Sequence, residues 1–140
     1  MKLPVVLLII SSLIYPPLSS GQIPADLFKS GRVLLVEEVR VTDNNLPDTA
    51  LFQNPRSLAF DSQGNIYVTD FDANHIKVLG PDGKFRTTTG RQGQGPGDLS
   101  GPSSIEISRG RIVVREAMNR RFSILDMKGR LIRTAKTVKL

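Results

Sequence analysis

From residue 57 onward the apolar positions fall in short bursts, and every other burst closes on a turn that carries glycine. Leu58-Ala59-Phe60 runs into Ser62-Gln63-Gly64; Asn65-Ile66-Tyr67-Val68-Thr69-Asp70 follows, then Ile76-Lys77-Val78-Leu79, then Pro81-Asp82-Gly83. Bursts this short, bounded by turn residues and rich in β-branched side chains, predict strands. The same order returns as Ile105-Glu106-Ile107, Arg109-Gly110, Ile112-Val113-Val114-Arg115-Glu116, Phe122-Ser123-Ile124-Leu125 and Lys128-Gly129. Gly64 and Gly110 lie 46 residues apart, as do Gly83 and Gly129, whereas Pro55 and Pro102 lie 47 apart. The second unit has therefore lost one residue in its first turn. A period of this length is read as an array before anything else.

The pattern predicts four strands in each unit, at residues 57–60, 65–69, 75–79 and 84–88, then 104–107, 111–115, 121–125 and 130–134. Turns of a few residues join them into antiparallel meanders, with Gly64 and Gly83 free to take positive φ. Upstream, residues 31–42 read as a leading strand that alternates from Leu35 onward, Leu35, Val39 and Val41 against Glu38 and Arg40. Residues 43–48 carry turn chemistry, and residues 90–102 form the longest irregular stretch. Four short antiparallel strands in this length make the size of a β-propeller blade, and an isolated four-stranded sheet must stack on a neighbour to bury its faces. The predicted class is all-β: a β-propeller segment of two four-stranded blades plus a leading strand.

The amino terminus adds a targeting segment. Lys2 precedes an apolar run over residues 3–14, Pro16 and Pro17 end it, and Ser19, Ser20 and Gly21 follow. This is the layout of a secretory signal peptide, expected as a helix and cleaved near Gly21, and the run is short for a membrane span, which needs about 20 residues. No stable span is expected after cleavage. The chain divides into the signal peptide (1–21), a linker or one helical turn at 25–29 with the leading strand (22–54), the first blade (55–100), the second blade (101–134) and a tail (135–140). Secreted or periplasmic localisation follows.

Composition narrows the chemistry. Among 140 residues there is no cysteine and one histidine, His75, which leaves no disulfide, thiolate nucleophile or His-rich metal cluster. The net charge is +6, and residues 101–140 alone carry +7. A basic half can meet acidic polysaccharide, lipid head groups or nucleic acid, although the basic residues are spread along strands as on a solvated face. Few aromatics accompany them, Phe122 being the exception, and the segment is secreted, so nucleic acid is not expected.

These residues resemble a known family. Pro55-Arg56-Ser57-Leu58-Ala59-Phe60-Asp61-Ser62-Gln63-Gly64-Asn65-Ile66-Tyr67-Val68-Thr69-Asp70 is similar to the first half of an NHL repeat, and Ile76 to Phe85 to its second half. The stretch 90–102, with its Gly-Pro-Gly, resembles the connector between such repeats. The second unit fits best at Asn119-Arg120-Arg121-Phe122, where the family carries Asn-x-Arg before an apolar residue. Ala73 and His75 stand where Asn and Arg are expected, and Glu116 where Asp is preferred. The resemblance implies a secreted propeller of the six-bladed kind. Two blades fall short of the four to eight that closed propellers use, so truncation is expected, with missing blades or self-association to close the ring.

Loops between second and third strands should share one rim with the connector. That rim supplies the candidate binding residues: Asp70, Asp72, Asn74, Arg91, Asp98, Glu116, Asn119 and Arg120. Asp70 and Glu116 end their second strands and could serve as bases or metal oxygens, but each can instead pair with the residue five positions on. The structural pairs expected are Asp70 with His75, titrating near neutrality, and Glu116 with Arg121 in a bidentate arrangement. The Gly93-x-Gly95-x-Gly97 run lacks the helix or Gly-Lys-Ser/Thr ending of a phosphate cradle and reads as a tight connector. No catalytic triad, lysine nucleophile or metal set can be assembled, and no cofactor is expected. The function read from the sequence is a binding scaffold for a protein, peptide or glycan. The alternatives are the remnant of a metal-dependent propeller lyase or lactonase, and anionic-ligand binding through the basic half.

Overall fold

A computed structural model describes residues 7–10, 37–42 and 46–136. Strand β1 (Leu7–Ile10) pairs antiparallel with β2 (Glu37–Val41). A 3-10 turn at Asp48–Ala50 follows. The first four-stranded sheet holds β3 (Pro55–Phe60), β4 (Ile66–Asp70), β5 (His75–Leu79) and β6 (Phe85–Thr89) in chain order. The second repeats that meander with β7 (Pro102–Ser108), β8 (Arg111–Glu116), β9 (Arg121–Asp126) and β10 (Leu131–Lys136). Among the described residues the fold is all-β and propeller-like, two four-stranded antiparallel sheets behind the β1–β2 pair.

The repeat extends to irregularities. The register slips after Pro55 in the first sheet and after Pro102 in the second, where proline cannot donate to a ladder. It slips again at Arg86 and at Ile132, which occupy the same place in their fourth strands. Asp61, Asp82 and Asp126 each close a turn by accepting backbone N–H groups, Asp82 from Lys84 at 3.1 Å and Asp126 from Lys128 and Arg130 at 2.9 Å.

One core lies on each side of the first sheet. Ile66, Val68 and Leu79 pack with Val41, Leu46, Ala50 and Phe52 of the leading segment. On the opposite face Tyr67, Ile76 and Val78 pack with Leu99, Ile105, Ile112, Val114 and Leu125 of the connector and second sheet. All five residues of β4 are buried because both of its faces are covered. Each fully buried Ile or Leu contributes about 1.5–3 kcal/mol, so stacking holds the sheets where local pairing alone would not.

One expectation needs correction. The described part of the signal segment, Leu7–Ile10, is a strand against β2 and not a helix. A four-residue apolar burst suits either geometry, and the edge of β2 supplies hydrogen-bond partners for its backbone. The rest of that segment, the cleavage point near Gly21, the helical turn at 25–29 and the end of the tail lie outside the described residues. Among the described residues no helix is long and apolar enough to cross a membrane.

Candidate functional site

The ends of the second strands carry the chemistry. Asp70 and Glu116 are both 0% exposed. Alternation puts Asp70 on the face of Ile66 and Val68, pointing at the segment that leads into its own blade. Its carboxylate accepts the N–H of Gln53 at 2.9 Å and of Asn54 at 2.8 Å. Lys77 closes the site: its Nζ lies 2.5 Å from Asp70 Oδ2, donates to the Leu51 carbonyl at 2.8 Å and sits 4.9 Å from the centre of the Phe52 ring. Burial pushes the Asp70 carboxyl up, but Lys77 and the two backbone donors outweigh it and hold the group below the usual carboxylate range.

Glu116 repeats the arrangement with other partners. It accepts the Ser100 N–H at 3.1 Å, Asn119 Nδ2 at 2.7 Å, Arg121 Nε at 2.8 Å and the Ser123 hydroxyl. Arg121 does not grip the acid with two nitrogens. Its remaining donors reach the carbonyls of Gln94 at 3.4 Å, Gly95 at 3.3 Å and Asp98 at 2.9 Å, so one guanidinium ties the glycine connector to the second sheet. Asp98 tightens the same loop by accepting Gly95 N–H at 3.2 Å and pairing with Arg91. The Arg91 partner holds the Asp98 carboxyl below its ordinary value.

These contacts gather the second-to-third-strand turns and the connector along one edge. Asn74, in a left-handed conformation with φ 56, accepts the Gly101 N–H at 2.8 Å, while Asn119 Nδ2 reaches the Gly93 carbonyl at 3.4 Å. Asp72 is exposed and accepts Asn54 Nδ2 at 3.1 Å. Arg120 is exposed and left-handed, with φ 49. Arg56 lies over the Phe71 ring at 5.0 Å. Around them Arg91, Gln92, Gln94 and Pro96 are exposed, and Met118 is 65% exposed. Asp70 and Glu116 thus leave the set of accessible groups, while Asp72, Arg91 and Arg120 stay on the surface.

Residues 52–79 match the family model of the NHL repeat. The chain carries an NHL repeat. That match spans the Asp70 site with Phe52, Asn54 and Lys77, and the second sheet repeats the geometry of the NHL unit 46 residues on. No protein with a curated description matches the chain. Among solved structures, a Bacteroides fragilis protein described as exported is similar, with TM-score 0.56 and 16% sequence identity over 64% of this chain and 26% of that one. At that identity the likeness shows the fold, and this chain spans about a quarter of that protein's length.

In the NHL unit the partner of Asp70 is Lys77 and not His75. His75 stands opposite Asp70 in the register but is half-buried, and burial together with Lys77 pushes its imidazole below the ordinary value, only partly countered by Asp70. Sequence reasoning missed Lys77 altogether. The available signal was a lysine between two apolar strand residues, seven positions after the acid, where Ser123 stands after Glu116. Among the described residues no group of three or more His, Asp or Glu could hold a metal ion.

Proposed function

We propose that this chain is an exported binding scaffold whose loop edge receives a protein, peptide or glycan. The observation that carries the reading is the connector: Arg121 anchors three of its carbonyls, yet Arg91, Gln92, Gln94 and Pro96 project from it to solvent. A loop fixed before binding loses little entropy on contact, and loops on a rigid scaffold are where binding residues gather. The two carboxylates that a hydrolase or lyase would need at this edge are spent on backbone and cation partners, which favours the scaffold over an enzyme remnant. Export is supported by Lys2, the apolar run after it and the exported description of the similar structure. Self-association or further blades would cover the outer face of the second sheet, where Val113, Phe122 and Ile124 are half-buried.

A photo-crosslinking residue tests the edge. Placed at Gln94 or Met118 in cells that export the protein, it is expected to give discrete adducts, while the same residue at exposed Lys84, in the β5–β6 turn, gives none. Equal adducts from both positions, or none from either, would remove the rim as a binding site.

A further inference from the structure

At the other edge the two sheets part around an open cleft of 490 Å³. Phe60, Asp61 and Tyr67 of the first sheet line it, facing Ile107, Arg109 and Met127 of the second. The acid inside it is already committed. Asp61 Oδ1 accepts the N–H groups of Gln63 and Asn65 at 2.9 Å, and Oδ2 accepts Asn65 Nδ2 at 2.8 Å and the Tyr67 hydroxyl at 3.3 Å. It shapes the turn and has little left for a cation.

Arg109 is different. It is exposed and forms no ion pair with any described residue. Its φ is 51 and that of Gly110 is 67, so the β7–β8 hairpin turns on two consecutive left-handed residues, with Ser108 and Arg111 paired at its base. Such a turn favours Asn-Gly or Asp-Gly. An arginine there works against the backbone, which asparagine would relieve, and the side chain so placed lies at the cleft. Phe60, 45% exposed, lines the cleft beside it. The volume falls in the range of small-ligand sites, roughly 300–1,000 Å³.

We infer that this cleft binds a small organic carboxylate with an apolar face, the carboxylate on the Arg109 guanidinium and the apolar face against Phe60, Ile107 and Met127. A planar guanidinium matches a carboxylate with two parallel hydrogen bonds. Within a largely polar lining, the Phe60, Ile107 and Met127 side offers nothing to a bare inorganic anion. Either an aromatic ring or the C–H face of a sugar acid offers the required surface.

The test is an amide NMR titration of the whole chain with sodium phenylacetate, with glucuronate and benzyl alcohol in parallel. Saturable shifts are expected at Phe60, Gln63, Gly110 and Met127. Benzyl alcohol, which keeps the ring and lacks the charge, should bind on the order of tenfold more weakly. Arg109→Asn should lower phenylacetate affinity by a similar factor while the thermal midpoint holds or rises, which separates lost binding from lost folding. Phe60→Ala should weaken the carboxylate and the alcohol alike. The tighter of phenylacetate and glucuronate tells an aromatic face from a sugar face. Absence of saturable shifts with both carboxylates, or unchanged affinity in Arg109→Asn, overturns the assignment and leaves the loop edge untouched.

Discussion

At Asp70 and Glu116 one structural demand is met by two sets of side chains. Each acid must fold the entry segment onto its blade, and each then needs a buried cation. In the first blade Lys77 reaches along the sheet on its four-carbon stem and His75 is released from pairing. In the second blade Ser123 reaches the acid with a neutral hydroxyl, and Arg121 supplies the charge from two positions earlier. Lys77→Met should therefore cost about 3–5 kcal/mol in urea unfolding, because it strands a buried carboxylate. Adding Asp70→Asn to that variant should recover part of the loss, since no bare charge then remains; a Lys77→Met cost below about 1 kcal/mol would place the pair among ordinary surface bridges. The acids were legible in the sequence as strand-end positions. The lysine was not, because spacing along the chain favours His75 as the partner, and only the reach of a long side chain across the strand register decides otherwise.

The eight strands of the two four-stranded sheets were legible, to within a residue or two at their ends, because the turns repeat at a fixed period and the apolar bursts between them are short; β1, outside the repeat, was not. The slips at Arg86 and Ile132 were not, since a bulge changes which neighbour a residue faces without changing the pattern of the residues. Turns of similar composition also differ in what surrounds them. Gly83 has φ 75, and a Cβ on it would stand 2.6 Å from Val39 Cγ1, so the turn also docks the leading strand. Gly110 has φ 67 and open space around it. Alanine at either site takes on left-handed strain of about 1–2 kcal/mol, but Gly83→Ala must also displace Val39. The expected order in thermal melts is a larger loss for Gly83→Ala than for Gly110→Ala. Equal losses would mean that β2 does not rest on that turn.

For the molecule as a whole, the two sides of the second sheet are unlike. The inner side is buried against the first sheet, whereas the outer carries Val113, Phe122 and Ile124 among Arg111, Arg115 and Arg133. If a second copy covers that face, sedimentation at micromolar concentration should show a dimer, and Ile124→Lys should return it to monomer. A wild-type chain that stays folded and monomeric would end that reading. The architecture could be read from the period; the clefts and edges could not, because they arise where two repeats meet and neither alone encodes them. The strand-end acids have one more consequence. The contacts from Asp70 to Gln53 and Asn54, and from Glu116 to Ser100, span 17, 16 and 16 residues. Each blade therefore latches its own entrance across a short loop, which costs little entropy to close. During synthesis a blade can set its own register once its third strand brings Lys77 or Arg121 to the latch, without waiting for a ring to form around it.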